Sequence, residues 1–212
     1  MQNSTRVLVL ICLLLVSSCS TSMPLATPEV VTVYSTAAAE PWLSPLYECA
    51  GTLSVLNRVD DPAAAQIILR VGEPPVLSSF AYQIDSEEVL VVTHRQSPVQ
   101  NLNLEETRAL FSGLGDPSMQ LWVYASDTDV QQAFDQLVME GRIVSPSARV
   151  AVHPQQMSDT LVNEVNTVGI LPRHWKAGDS REVFSAGTVP VLALTNTEPQ
   201  GPVKDLIACL QK

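Results

Sequence analysis

From residue 30 to the C-terminus the apolar positions alternate between two patterns: short continuous runs, and segments in which they recur every three or four residues. The runs, bounded by turn residues, predict strands, and the three-to-four spacing predicts helices. VVTVYS (30–35) is the first strand, and it leads into a helix over 37–50 that sets Trp42, Leu46 and Cys49 on one face. Short strands follow at 53–57 and 66–71, then a loop with two prolines, GEPPVLSS (72–79), and an extended stretch over 81–94. The next helix carries its own punctuation: Asn103 as N-cap, Glu105 and Glu106 in the first turn, an apolar face of Leu104, Leu110 and Phe111, and Gly113 at the end.

The same alternation continues to the C-terminus. Strands are predicted at 121–126, 148–153 and 167–172, and helices at 129–141 and 158–165, the latter with Ser158 as its cap. Residues 183–194 are β-rich, and a last helix over 202–210 has Val203, Leu206, Ile207 and Leu210 as a stripe. Strands alternating with helices predict an α/β fold with mixed, mostly parallel sheets flanked by helices.

Composition narrows the partners. Of 212 residues, 46% are hydrophobic, which is enough for a sizeable core, and 12 Lys and Arg against 22 Asp and Glu give a net charge of −10. With no run of Lys or Arg, such a surface repels nucleic acid and anionic lipid. The first residues have a separate role: Arg6 precedes VLVLICLLLV (7–16), ten residues that are too few for a bilayer core of roughly 30 Å and that have the flanks of an export signal. Val16, Ser17, Ser18 and Cys19 then resemble the lipobox of bacterial lipoproteins, which implies a signal peptide over 1–18, a lipid on Cys19, and a Ser/Thr/Pro-rich tether over 19–29. Export leaves Cys49 and Cys209 as an even pair in an oxidising compartment, either as a disulfide or as two buried thiols.

The stretch EEVLVVTHRQSPVQNLNLEETRALFSG, ending at Gly113, resembles the central signature of class II periplasmic solute-binding proteins of the phosphate-binding, PstS-like branch. LWVYASDTDVQQAFDQLV (121–138) and VNEVNTVGILPRHW (162–175) follow in family order. The resemblance implies a two-lobed periplasmic-binding-protein type II fold, with 30–90 and 173–212 in lobe 1 and 91–172 in lobe 2. It also implies a cleft into which loops of both lobes aim free amides and hydroxyls, a field suited to an oxyanion without any cation. Ser35 and Thr36 hold the position of the first such loop, Ser79 follows the Pro-Pro loop where a further contact is placed, and Ser126, Asp127 and Thr128 form the loop of the second lobe.

That last loop departs from the family pattern. Ala125-Ser126-Asp127-Thr128-Asp129 has two carboxylates, no glycine and no nearby arginine, and a carboxylate within about 5 Å of a dianion repels it by roughly a kilocalorie per charge pair even in water. Asp127 or Asp129 is either the N-cap of the following helix or a group that faces the cleft and selects a protonated oxyacid, a neutral polar molecule or a cation. Catalysis has no sequence support: the three histidines are widely separated, no Cys-x-x-Cys or Gly-x-Ser-x-Gly motif occurs, and no cofactor is implied. The expectation is a monomeric, lipid-anchored, extracytoplasmic solute-binding component of an ABC transporter, working with a permease and binding a small polar ligand such as phosphate. The alternative is a surface lipoprotein of the same fold with a decayed pocket, acting in protein contacts.

Overall fold

The computed structural model describes residues 28–52, 54–76 and 80–212, so the export signal, Cys19, most of the tether and Ser79 lie outside the described residues. Eight strands form one sheet in the order β2-β1-β3-β8-β4-β7-β5-β6. β1 (Glu29–Ser35) lies between β2 (Ser54–Arg58) and β3 (Ile67–Val71), parallel to both. At the other end β5 (Gln120–Tyr124) is parallel to β6 (Arg149–Ala151) and to β7 (Thr167–Pro172). Each trio is a small α/β unit of its own; β3, β5 and β7 are the most buried of these strands, whereas the edge strands β2 and β6 leave Val55 and Val150 exposed.

Two long strands join the trios. β4 (Phe80–Thr93) and β8 (Arg181–Thr195) pair antiparallel along almost their whole lengths. The C-terminal end of β8 also pairs with β3, from Val191 to Leu194, whereas the C-terminal end of β4 pairs with β7, from Val89 to Thr93. Each strand therefore belongs to the first lobe at one end and to the second at the other. The ladder between them slips register between Gln83 and Asp85, between Val89 and Leu90, and between Val91 and Val92. Irregularities of this kind bend a strand and increase its twist.

The helices follow the apolar periodicity. A single 3₁₀ turn (Glu40–Trp42) runs into α1 (Leu43–Ala50), which buries Trp42 and Leu46 and carries Cys49 to Cys209. These two cysteines form a disulfide, with Cα atoms 5.9 Å apart, that ties α1 to the final helix α5 (Gly201–Leu210). α2 (Leu104–Ala109) begins at the expected cap, Asn103, which closes into a capping box: the Asn103 side chain accepts from the Glu106 amide, and the Glu106 carboxylate accepts from the Asn103 amide. It then widens into a π turn (Leu110–Leu114) in which Gly113 takes a positive φ of 83°.

α3 (Asp129–Phe134) widens in the same way, into a π turn over Asp135–Met139. α4 (Pro154–Asn163) starts four residues before the sequence-based boundary, because Pro154 occupies the first turn and the His153 ring accepts from the Gln155 amide as cap. Ser158 is therefore buried inside the helix and does not cap it. Among the described residues no helix is long and apolar enough to cross a membrane.

On β4, outside the cleft, Glu87 is 1% exposed and its carboxylate meets the His174 ring at 2.8 Å, with Trp42 packed against that ring. Burial raises the Glu87 carboxyl above the usual carboxylate range, and the interaction with His174 opposes this. A carboxyl whose folded pKa is raised contributes stability below its unfolded value, and that contribution is lost as pH rises through the folded value. Glu87→Gln should therefore flatten the decline of melting temperature with rising pH on the alkaline side of the ordinary carboxylate range. Thermal unfolding across a pH series checks this, and a profile identical to that of the wild type would refute it.

Candidate functional site

The C-terminal ends of β1, β3, β5 and β6 open onto one cleft of about 360 Å³. Tyr34, Thr36, Arg70 and Pro75 line it from the first lobe, and Tyr124, Asp127, Thr128, Asp129, Gln132 and Pro154 line it from the second. In α/β folds a crevice outside the carboxyl ends of the strands is where ligands bind. The two trios run in opposite directions along the β4–β8 ribbon, so the loops leaving β1 and β3 face the loops leaving β5 and β6 across the cleft.

The sequence-selected residues separate at this site. Ser35, the last residue of β1, is buried, and its hydroxyl donates to the carbonyl of Thr36 at 2.9 Å instead of facing the cleft. Thr36 does face it. Its amide donates to the Leu69 carbonyl, continuing the β1–β3 ladder, and its hydroxyl donates to the Asp129 carboxylate at 2.6 Å. Asp127 and Thr128 line the second wall, although the Thr128 hydroxyl is used within its own turn, donating to the Ala125 carbonyl at 2.8 Å. Ser126 is exposed on the same loop and is not among the lining residues.

Neither aspartate caps α3. Thr128 holds the cap position without a side-chain capping bond, and Asp129 is the first residue of the helix. Asp129 is 6% exposed and reaches across to the other lobe. Its Oδ2 accepts from the Thr36 hydroxyl at 2.6 Å and from the Val71 amide at 3.0 Å, and its Oδ1 accepts from its neighbour's amide, Val130, at 2.9 Å. Two donors of the first lobe thus converge on one oxygen of the second. The loop that sequence reading marked as repelling an anion carries an anion itself.

Arg70 was not singled out from the sequence, which noted only that the second-lobe loop has no arginine. It comes from the opposite wall, at the end of β3. Its Nε donates to the Gly72 carbonyl at 3.0 Å and its Nη2 donates to the Gln132 side-chain oxygen at 3.2 Å, both neutral acceptors, while the Gln132 amide nitrogen donates to the carbonyl of Asp127. Burial lowers the Arg70 pKa from its ordinary value, and the nearby Asp129 opposes this. A readable signal did exist: Arg70 is the one charged residue in IILRV, between the fully buried Leu69 and Val71. Gly72 then takes a φ of 72°, a turn that keeps the guanidinium's carbonyl partner in reach.

Tyr124 adds a buried donor. The residue lines the cleft, yet its hydroxyl has no hydrogen-bond partner among the described residues, and burial together with Asp129 pushes its pKa well above the ordinary tyrosine value. Gln131 closes the top of β5 beside it: its side-chain oxygen accepts from the Tyr124 amide at 3.0 Å and its amide nitrogen donates to Asp135 at 2.9 Å.

The rim carries two further cross-contacts, both made by His153. The His153 Nδ1 accepts from the Gln155 amide, so Nε2 is left to face the Glu40 carboxylate at 3.3 Å, and Glu40 also pairs with Arg58. Trp175 packs edge-on against the His153 ring, and its indole NH donates to the Ala38 carbonyl at 3.1 Å. Trp175 thus packs at the junction of the lobes, and Trp42 and Trp122 are buried in the core. Among the described residues no group of His, Cys, Asp and Glu is arranged to hold a metal ion.

Comparison with known proteins finds no matching family model and no matching curated protein. Solved structures do match. A phosphate ABC transporter substrate-binding protein from Clostridium perfringens, with bound phosphate, superposes with a TM-score of 0.76 at 12% identity over 86% of this chain and 93% of that one. An ABC-type phosphate transport receptor from Vibrio cholerae gives 0.66 at 14% identity over 86% and 93%. OxyR from Corynebacterium glutamicum gives 0.64 at 13% over 87% of this chain and 64% of that one. Transport receptors and a regulator share the architecture, so at these identities the likeness shows the fold: a two-lobed, type II periplasmic-binding-protein fold.

Proposed function

We propose that this chain, built on the type II periplasmic-binding-protein fold, is the extracytoplasmic, lipid-anchored solute-binding component of an ABC transporter, and that it holds a small polar solute in the cleft between its lobes with an anionic group of that solute against Arg70. The carrying observation is the half-buried Arg70 guanidinium, which opens onto a cleft of about 360 Å³ and whose hydrogen bonds among the described residues go to neutral acceptors. An arginine fork placed this way is the natural partner of a carboxylate or a phosphoryl group.

The ligand class changes from the bare oxyanion implied by the sequence resemblance. The Thr36 hydroxyl and the Val71 amide are both engaged by Asp129, so the remaining space favours an organic solute with one anionic group, such as a small carboxylate, an amino acid or a phosphate monoester. The lipobox at Cys19 supports anchoring, and the fold shared with two transport receptors supports a permease partner. The lobe division at 30–90 with 173–212 against 91–172 belongs to the same proposal, its boundaries falling inside β4 and just after β7.

Differential scanning against phosphate, sulfate, molybdate, tungstate, amino acids and small organic carboxylates and phosphates tests the reading. A cognate solute at a hundredfold excess over its dissociation constant should stabilise the protein by about 2.7 kcal/mol, which is roughly 5 to 10 °C for a chain of this size. Arg70→Ala should abolish that shift. If no solute produces a saturable shift, the other reading of this fold holds, a surface module whose pocket no longer binds and which acts through protein contacts. The engaged Thr36 and Val71 donors favour that reading for inorganic oxyanions.

A further inference from the structure

We infer that the Asp129 carboxylate is a built-in occupant of the interlobe anion position: it makes, from within the chain, the cross-lobe contacts that a free oxyanion would make, and it thereby excludes inorganic oxyanions from that position. This deepens the solute-binding reading, since it assigns the residue that determines specificity, but its geometry stands without any solute. The Thr36 hydroxyl and the Val71 amide, from the ends of β1 and β3, both donate to Asp129 Oδ2, at 2.6 and 3.0 Å. The carboxylate is 6% exposed, so its contacts are made away from bulk water. A hydroxyl and a main-chain amide converging from one lobe on a single oxygen of the other is how two lobes grip an anion. Here the gripped oxygen is covalently part of the second lobe.

Two consequences follow. A free phosphate at this position would have to displace an anion that is tethered in place and already bonded to the Thr36 hydroxyl and the Val71 amide. These cross-lobe contacts are made entirely within the chain, and Gln132, which accepts from Arg70 at 3.2 Å and lies on the same helix as Asp129, adds to them. The Tyr124 hydroxyl, without a hydrogen-bond partner among the described residues, and the Arg70 guanidinium remain as groups of the cleft that the internal carboxylate leaves available.

Chemical rescue tests the assignment. Asp129→Ala removes the carboxylate and leaves its donors facing a gap, and Asp129→Ser leaves the same gap with a shorter polar side chain in case the alanine variant fails to fold. Each is melted with sodium formate, acetate, phosphate or sulfate, against sodium chloride at equal ionic strength. The expected result has three parts. Wild-type melting does not respond to these anions beyond the chloride control, except for any shift that Arg70→Ala removes. The shortened variants melt about 5 °C or more below the wild type and recover saturably with formate or phosphate. Thr36→Val in the shortened background abolishes the recovery.

A saturable phosphate or sulfate shift of the wild type that persists in Arg70→Ala would overturn the inference, as would shortened variants that gain no more from formate or phosphate than from chloride. The first of these arms uses only protein with Asp129 intact. A negative solute panel on the wild type, by contrast, would sink the transport reading and leave this assignment standing.

Discussion

Replacing both Cys49 and Cys209 with alanine should lower the melting temperature by roughly 10 to 20 °C, the largest effect expected of any change outside the cleft. The bridge spans 160 positions, and the loop-closure entropy it removes from the unfolded chain corresponds to about 5 kcal/mol. The cysteines lie on α1 and α5, which pack together: Leu46 of α1, and Val203, Leu206 and Ile207 of α5, belong to one buried cluster. The helices therefore have their own reason to stay paired, and the loss should appear as lower stability of an otherwise native fold. Melting the wild type with and without reductant, beside the double variant, is the check. Equal melting temperatures in all three samples would mean that the cross-link does not constrain the unfolded chain.

Phe134→Ala should destabilise the protein by about 3 to 5 kcal/mol. Phe134 and Phe111 are fully buried, with ring centroids 4.8 Å apart in a tilted arrangement, and they connect α3 to the π turn that follows α2. Truncation loses the burial of one ring, the ring-ring contact and the close packing around both. Urea unfolding should show a lower midpoint with an unchanged slope if the surface exposed on unfolding stays the same. A loss below about 1 kcal/mol would mean that the second lobe collapses to fill the gap. Phe134→Leu, which keeps most of the volume, should cost much less.

Much of the chain declares its own structure. The strands β1, β2, β3, β5 and β7 coincide with the predicted runs within a residue or two, because short clusters of branched and aliphatic residues bounded by turn residues are a local signal. Asn103 with Glu106 gave the start of α2, since a capping box is a local device that needs no tertiary partner. The start of α4 was missed because ARVAVH reads as one extended run, although the proline after His153 marks a first helical turn. The π turns after α2 and α3 have no local signature comparable to a cap.

The site was only half legible, for a physical reason. Thr36, Asp127 and Thr128 could be picked out because they follow strands and carry polar atoms into turns. Which of those atoms face a solute depends on pairings between residues 93 positions apart, such as Thr36 with Asp129, and no local pattern encodes them. Asp129 had two readings, a cap or a cleft-facing group, and the structure places it at the first helical position with its carboxylate turned to the other lobe. Arg70 entered from a wall where no cation was sought, and its place as the one charge in an apolar strand was its sequence mark.

The lobes are connected by two β-strands paired side by side, β4 and β8, and not by slack loops. A ribbon of that kind stores elastic energy when it is flexed, so any gaping of the molecule is a small spring-like deflection concentrated where the ladder already slips, at residues 83–85 and 89–92. Such a frame returns the two walls to the same alignment after each excursion.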